Sequence, residues 1–521
     1  MRSMAWLDRL TGGSSRSSLN RTARRAGSSF HRSPAAATAT AAVVLAAIAA
    51  LAAGCGNQYR PVITPINPTG PASLPTAYIT VISQPGFTPL PAGVTGPCTT
   101  TTYAEPSIYT LLNFSGDSIV AQANGAGGPI TFSMEAGGAD VYSPNCGGTL
   151  TTAQSTTASL LSKDVLTSTL PPYASPTNTL LANGELYVTE TYVSLPAGQT
   201  SSTCRPATPT SPQPPCVAQM TGSPSALKQE IPVAPSLINL TGFSTAERLY
   251  AISQGNSSGG AQPAWGDCAT PSAVTVNGEA DAIETSTNTI SARLPLGVCP
   301  VFGFMTQDTL RDFIMNRGSG TVTVINSQLN AIDSAHPTIT VGAGPVYADY
   351  YRVGQVLVTA NYDGNSISVI DASLDIYGND SSTFGTVLAT IPVGLHPVEL
   401  AVLQDGSRVY VANQGDITAG TPGSISIVSL TNYTVEKTIP LTSNPHAIGA
   451  IYNYPIGKVY VASQNSPYLT IIRTDTDIVS DTPEMQGNIV EMHVNAQYPG
   501  QSSPGSLNYQ TESRSVGSGA P

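Results

Sequence analysis

The sequence has 521 residues, of which 10% are charged, against about 25% in ordinary soluble domains, while glycine (48) and proline (42) are abundant. This composition favours strands and turns over helices, and a hydrophobic content of 40% in short runs excludes full disorder. Residues 1–54 hold seven Arg and one acidic residue, so the remainder carries 14 basic and 31 acidic residues, and its charge of −17 argues against nucleic acid as a partner.

The first 54 residues are predicted to be a signal peptide of the lipoprotein type. An Arg-rich opening precedes the apolar run 41–53, whose 13 residues fall short of the ~20 that span a bilayer as a permanent helix. The segment LAAGC at 51–55 resembles the lipobox of bacterial lipoproteins, in which the cysteine is acylated and becomes the mature N-terminus. This resemblance implies that Cys55 anchors an extracytoplasmic chain to a bacterial membrane, at its periplasmic face or at the cell surface. Ordinary cleavage nearby and an uncleaved anchor are the alternatives.

The Pro-rich, polar segment 55–76 is typical of a tether between a lipid and a folded body. Six cysteines follow it, and an even number in an exported chain indicates disulfides. Six cysteines allow fifteen pairings, and the simplest joins sequential neighbours. The pairs predicted in this way are Cys98 with Cys146, Cys204 with Cys216, and Cys268 with Cys299. A metal site is the rival interpretation, but the sequence has no CxxC motif and no nearby pair of histidines.

A repeated strand pattern runs through the chain, in which aromatic and β-branched residues end in a small residue and then Asn or a polar substitute. Such runs suit the half-buried surface of a central strand. The seven segments with this pattern are 118–124, 185–191, 248–255, 312–318, 356–361, 408–415 and 458–465. They are spaced by 45 to 68 residues, and a four-stranded propeller blade needs ~40–50.

The spacing predicts an all-β propeller at 77–495, with seven blades of four antiparallel strands and insertions in the first three. The strand AYITVIS (77–83) is expected to close the ring by joining the last blade, formed from about 445–480, because this removes exposed sheet edges. Residues 496–521 show no periodicity and are predicted to be a disordered tail.

The clearest repeats resemble a known family. VYVANQG (409–415) followed by SISIVSL (424–430), and VLVTAN (356–361) followed by SISVID (366–371), are similar to the YVTN-repeat, or YncE-like, β-propellers. The resemblance is strong over about 310–480 and weaker over 230–310. It implies a propeller that is commonly seven-bladed and extracytoplasmic, and it implies no single activity.

Candidate functional residues are few. His396 and His446 flank the recurrent prolines Pro397 and Pro445 in successive repeats, and His336 also precedes a proline. If all three lie at the rim of the central channel, they could bind a ligand or hold a metal, the only cofactor expected. The alternative is that they are polar loop residues beside strand starts. The acidic residues of 371–380 and 474–477 are interpreted as solvated loop acids, since no terminal Glu is placed as calcium loops require.

No nucleophile elbow, nucleotide-binding or HExxH motif occurs in the sequence. We therefore expect a monomeric, lipid-anchored protein of the cell envelope that binds or scaffolds an envelope protein or a small ligand. The alternative is a propeller enzyme, such as a lactonase, a lyase or a quinoprotein-like dehydrogenase, with its site in the central channel.

Overall fold

The protein is described by a computed structural model. It describes residues 77–85, 105–134, 140–146, 148–154, 165–170, 174–192, 204, 215–221, 225–243, 245–263, 266–451 and 457–496. These residues all belong to one compact unit, Val62–Pro521. Within them, no helix has the length and apolar character needed to cross a membrane. The predicted signal peptide (1–54), tether (55–76) and tail after residue 496 lie outside the described residues, as do Cys55 and Cys98.

The strands form eight antiparallel sheets, and the first strands of successive sheets pack against one another as the inner strands of a propeller. Blade 1 contains β1 (Ala77–Gln84), β2 (Ser107–Asn113) and β3 (Ser118–Gly125) outside the last strand of the chain, β33 (Asn488–Ala496). Blade 2 contains β4 (Ser133–Met134), β5 (Asp140–Asn145), β6 (Thr149–Gln154) and β7 (Leu166–Thr169). Blade 3 contains β8 (Ala174–Ala182), β9 (Glu185–Tyr192), β10 (Cys216–Thr221) and β11 (Ala226–Pro232). Blade 4 contains β12 (Leu237–Thr241), β13 (Arg248–Ser253), β14 (Asn277–Glu284) and β15 (Thr289–Val298), with 3₁₀ turns at Asp267–Ala269 and Pro271–Ala273.

The remaining four blades follow without a break in the described chain until residue 451. Blade 5 contains β16 (Pro300–Met305), β17 (Arg311–Asn316), β18 (Thr321–Asn326), β19 (Ala331–Ile332) and β20 (Thr338–Thr340), the last two both pairing with β18. Blade 6 contains β21 (Pro345–Tyr351), β22 (Val356–Asn361), β23 (Ser366–Asp371) and β24 (Val387–Pro392). Blade 7 contains β25 (Pro397–Val402), β26 (Arg408–Asn413), β27 (Ser424–Ser429) and β28 (Thr434–Pro440). Blade 8 contains β29 (Pro445–Ile451), β30 (Lys458–Ser463), β31 (Thr470–Arg473) and β32 (Ile478–Asp481).

The prediction of seven blades is wrong, because the structure has eight antiparallel sheets, seven of four strands and one of five. The extra sheet is blade 2, which occupies the stretch interpreted as an insertion between the first two repeats. Its second strand, DVYSPN (140–145), keeps the Tyr and the final Asn of the pattern but breaks the Val-Ala step with Ser143 and Pro144. The segment 118–124 is not a second strand either, since it forms β3, the outermost strand of blade 1.

Ring closure uses the predicted N-terminal strand but in a different blade. The segment expected to receive AYITVIS forms the complete blade 8, and β1 instead lies between β2 and β33. Its register with β33 runs from Ala77 opposite Ala496 to Gln84 opposite Asn488. Blade 1 therefore takes three strands from the start of the chain and its innermost strand from the end, which leaves no unpaired strand at the closure.

The asparagine of the repeat has a structural reason. Asn413 ends the second strand of blade 7, and its Nδ2 donates hydrogen bonds to Ser424 Oγ (3.2 Å) and Ser426 Oγ (2.9 Å) on the third strand. The same arrangement joins Asn, at the end of strand two, to a Ser-x-Ser or Thr-x-Thr pair on strand three in three other blades. These sets are Asn145 with Thr149 and Thr151, Asn316 with Thr321 and Thr323, and Asn361 with Ser366 and Ser368. A buried amide thus finds partners that a β-sheet alone would not supply.

The tyrosine of the repeat joins neighbouring blades. Its hydroxyl hydrogen-bonds an Asn or Asp in the turn between the third and fourth strands of the next blade. The pairs are Tyr187 with Asn288, Tyr250 with Asn330, Tyr410 with Asp477, and Tyr460 with Asp117. Each turn residue has a positive φ between 50° and 55°, which Asn and Asp tolerate better than other side chains. We call this contact, together with any basic residue two positions before the tyrosine, the blade latch.

The basic residue strengthens three latches. Lys458 Nζ lies 2.7 Å from Asp117 Oδ2 and donates to the Phe114 carbonyl at 2.6 Å, so blade 8 is fastened to blade 1 across the closure. Arg408 pairs with Asp477 in the same way, and Arg248 donates to the Ser327 carbonyl at 2.7 Å. Since each latch ties one blade to the next, the ring is stabilised by a repeated side-chain contact as well as by its apolar core.

Two of the predicted disulfides are confirmed. Cys204 is bonded to Cys216, and Cys268 is bonded to Cys299. Cys146 is also in a disulfide, while its predicted partner Cys98 lies outside the described residues. Disulfides of this kind are typical of proteins that fold in an oxidising compartment, which supports an extracytoplasmic location.

Candidate functional site

His446 belongs to the second position of an inner strand and is buried, with 5% of its surface exposed. Its Nε2–H donates to the Val490 carbonyl of β33 at 3.0 Å. Burial lowers the pKa of this imidazole to about 4, so it is neutral at physiological pH. The geometry makes His446 a bridge between the inner strands of blades 8 and 1.

His396 precedes β25 with a positive φ of 52°. Its ring stacks on Tyr362, with centroids 4.5 Å apart and planes 12° from parallel, and its Nδ1 lies 2.8 Å from the Gly415 carbonyl. The guanidinium of Arg317 lies 4.8 Å from the centre of the same Tyr362 ring and pairs with Asp363. These planar groups come from blades 5, 6 and 7, so the stack joins three consecutive blades.

His336 lies at the outer edge of blade 5, in the connection between β19 and β20. Its Nδ1 is 2.8 Å from Asp380 Oδ2, and Asp380 belongs to the connection between β23 and β24 of blade 6. The backbone N–H of His336 donates to Asp333 Oδ1 at 2.8 Å. Ligand atoms of Asp333, His336 and Asp380 lie within 4.8 Å of one another, and no other group of three or more His, Cys, Asp and Glu side chains in the described chain meets this criterion.

The structure therefore distributes the three candidate histidines rather than assembling them. His336 lies beside two carboxylates at the edge of a blade. His396 and His446 each lie near the start of an inner strand, where their rings contact the backbone carbonyls of Gly415 and Val490. The two partners of His336 were not predicted. Asp333 has a local signal, since an Asp three residues before His336 caps that turn, but Asp380 is 44 residues further along the chain and no local pattern connects them.

Arg311 holds this group together. It is buried, and its Nη2 and Nε lie 2.6 Å and 3.2 Å from Asp380 Oδ1. It also donates to the Gly378 carbonyl and lies 3.7 Å from Asp333 Oδ2. The Asp380 side chain is only 12% exposed, so the interpretation of the 371–380 acids as solvated is wrong for this residue. Arg311 stands two positions before Phe313, where four other blades have the latch tyrosine, so the group is a modified blade latch.

Comparisons with known proteins concern the fold alone. No protein-family model matches the chain, and no curated protein matches it. A solved structure of dihydro-heme d1 dehydrogenase NirN has a TM-score of 0.53 at 12% identity, covering 82% of this chain and 77% of that one. Apo AztD from Citrobacter koseri has a TM-score of 0.49 at 11% identity, covering 80% of this chain and 98% of that one. Saccharomyces cerevisiae Sqt1 has a TM-score of 0.48 at 8% identity, with coverage of 70% and 87%.

This chain is a β-propeller. Of these three likenesses, the one to NirN exceeds a TM-score of 0.5, and at 12% identity it concerns the fold and carries no activity to this chain.

Proposed function

We propose that this propeller is an exported, lipid-anchored member of the YVTN-repeat type that binds or scaffolds a partner in a bacterial cell envelope. The partner is an envelope protein or a small ligand, and the propeller acts as a monomer. The proposal rests on one observation. Within the described part of the ring, buried charged side chains hold neighbouring blades together.

Two carboxylates, the buried Glu399 and the partly buried Asp349, illustrate this use. Glu399 on β25 accepts a hydrogen bond from the Ile448 N–H of the next inner strand at 2.7 Å. Asp349 on β21 accepts one from the Val402 N–H at 2.8 Å. Because these carboxylates accept hydrogen bonds from the backbone of the adjacent blade, they stabilise the contact between neighbouring blades. This favours recognition by the outer surface over proton transfer in the channel as the basis of function.

The same contacts define the two faces of the ring. Each hydrogen bond joins residues at similar positions along two neighbouring inner strands. The inner strands therefore run in the same direction and all begin at one face of the ring. β33 ends at the opposite face, and Ala77 pairs with Ala496 there, so the chain enters the ring at the face of the strand-one to strand-two turns. Ala77 lies 22 positions after Cys55, a span of at most about 80 Å when extended. We propose that the face where inner strands begin meets the partner, since the chain that follows Cys55 joins the ring at the opposite face.

The lipid anchor is tested by replacing the proposed acylation site, Cys55→Ala, in the full chain. We expect the wild type to incorporate labelled fatty acid and to fractionate with membranes, and the variant to lose both properties. Unchanged labelling and fractionation in the variant would contradict the anchor.

The binding role is tested separately by chemical cross-linking in intact cells and purification of the full chain from solubilised membranes. A partner recovered at a constant ratio with the wild type, and reduced in the Cys55→Ala variant, is the expected result. Recovery of the chain alone at every cross-linker length would contradict a scaffolding role.

A further inference from the structure

We propose that Asp333, His336 and Asp380 bind a divalent transition-metal ion of the Zn²⁺ class at the junction of blades 5 and 6. One carboxylate oxygen from each Asp and one ring nitrogen of His336 supply three ligands, and these atoms already lie within 4.8 Å of one another. Ligands around 2.0–2.2 Å from a common zinc ion lie about 3–3.5 Å apart, so the group needs only small adjustments. The inference is independent of the lipid anchor and of any envelope partner.

The two carboxylates are oriented before any ion arrives. Asp380 Oδ1 is held by Arg311, which leaves Oδ2 turned towards His336 at 2.8 Å. Asp333 Oδ1 accepts the backbone N–H groups of Ala335 and His336 at 2.9 Å and 2.8 Å. In each case one oxygen is fixed by the protein and the other faces the space shared with His336; the proton that lies between Asp380 Oδ2 and the His336 ring would pass to solvent when an ion binds. Outer partners of this kind position metal ligands and raise affinity.

Asp333 Oδ2 has only a distant partner in the protein. Asp333 is 7% exposed, and its Oδ2 lies 3.7 Å from Arg311 Nε, which makes an ion pair but exceeds the length of a hydrogen bond. A cation at the centre of the group would give this oxygen a closer partner.

Comparison with the other latches shows a surplus of negative charge here. Lys458 faces one carboxylate, Asp117, and Arg408 likewise faces Asp477, so each of those latches is neutral. At blade 5 a single Arg311 faces two carboxylates, so its charge balances only one of them. The other latches do without a second Asp and a His, whereas a metal site needs both.

The donor set indicates the class of ion. Two carboxylates and an imidazole suit zinc and neighbouring first-row metals, while calcium prefers six to eight oxygen ligands. The His336 side chain is 35% exposed, so the site is open to solvent and water can complete the coordination sphere. Arg311 stays outside this sphere as the residue that positions Asp380.

The test is calorimetric titration of Zn²⁺ into the full chain, purified without a histidine tag, with Co²⁺ absorption as a second readout. We expect one saturable Zn²⁺ per chain and a Co²⁺ spectrum with nitrogen and oxygen ligation. His336→Ala should weaken binding by at least the 10- to 100-fold that loss of even an outer-shell partner costs. His396→Ala is the matched control, because that residue is also a partly exposed His before a Pro, and it should bind as the wild type does.

Thermal unfolding separates a lost ligand from a lost fold. Without metal, His336→Ala should melt close to the wild type, and added Zn²⁺ should raise the melting temperature of the wild type and of His396→Ala but not of His336→Ala. Absence of saturable binding would overturn the proposal. Binding that survives His336→Ala unchanged, or binding of Ca²⁺ in preference to Zn²⁺, would overturn it as well.

Discussion

Asp312 is a fully buried carboxyl group whose ionisation should control the stability of the ring near neutral pH. It lies on β17 with no exposed surface, its Oδ1 accepts a hydrogen bond from Thr241 at 3.2 Å, and burial raises its pKa to about 8. In the unfolded chain the pKa of an Asp is about 3.9. The folded state therefore holds a proton that the unfolded state releases across the range between these two values.

The sign of the effect follows from proton linkage. Where the folded state binds more protons than the unfolded state, the free energy of unfolding falls as pH rises, by about 1.4 kcal/mol per unit. For a folded pKa near 8, the loss between pH 6.5 and pH 8 is about 1.5 kcal/mol. Asp312→Asn keeps the shape and cannot ionise, so we expect the variant to lose this slope and to gain about 1.5 kcal/mol on the wild type across that interval.

The assay is denaturant unfolding with intact disulfides at pH 6.5, 7, 7.5 and 8. Asp281, with a folded pKa of about 6, and His446, whose unfolded pKa is about 6.5, contribute at the lower end of this window, and their contributions are shared by the wild type and Asp312→Asn. Asp405→Asn, in an exposed turn, is the control and should retain the wild-type slope. Parallel pH dependences for the wild type and Asp312→Asn would refute the reasoning, since the carboxyl group would then be ionised in the folded state.

Three further outcomes follow from the latches and the inner strands. Lys458→Met should lower the free energy of unfolding in denaturant by about 3 kcal/mol, because it leaves the buried carboxylate of Asp117 without its ion-pair partner. Arg473→Ala, which removes an exposed ion pair, is the control and should cost under about 1 kcal/mol. Equal costs for the two variants would contradict a latch that closes the ring. Asn145→Ala and Asn413→Ala should each lower the free energy of unfolding by about 2 kcal/mol, because each removes buried hydrogen bonds to the third strand. A negligible loss for Asn145→Ala would show that blade 2 lacks the repeat contact. As pH drops from 6.5 to 4, His446→Gln should gain stability relative to the wild type in denaturant unfolding, because the unfolded His446 gains a proton that the folded one refuses.

Sequence periodicity predicted most of the fold because the repeated residues both form the strand and make the side-chain contacts that hold it in place. Where Tyr and Asn are both present, as in RVYVAN (408–413), the strand, its latch and its hydrogen bonds to the next strand follow together. The N-terminal strand and two disulfides were also predictable. The blade count was not, because blade 2 has an inner strand of only two residues and a Pro144 in its second strand, which disguise a repeat whose Tyr142 and Asn145 are in place.

The candidate site was less predictable, for a physical reason. His336 could be singled out by its residue type, but its role depends on Asp380, which reaches it from the neighbouring blade. The acids of 474–477 show the same limit, since Asp477 is paired with Arg408 and Tyr410 rather than left in solvent. Blade latches join residues as far as 101 positions apart, and 341 positions apart at the ring closure. A single sequence does not reveal which loop acids meet which strands.

Equivalent positions recur in every blade of a propeller, so the same position can be compared between blades of one chain. The second-strand tyrosine is retained at four latches, and at those positions the next blade presents an Asn or Asp in a tight turn. In blade 5 the tyrosine is replaced by Phe313, which packs on Phe384, and the turn it would have reached is expanded into the connection 372–386. Departures from a local rule that the rest of a chain obeys are where function is most often found. The junction of blades 5 and 6 is such a departure, and it is also where the described chain brings two carboxylates and an imidazole together.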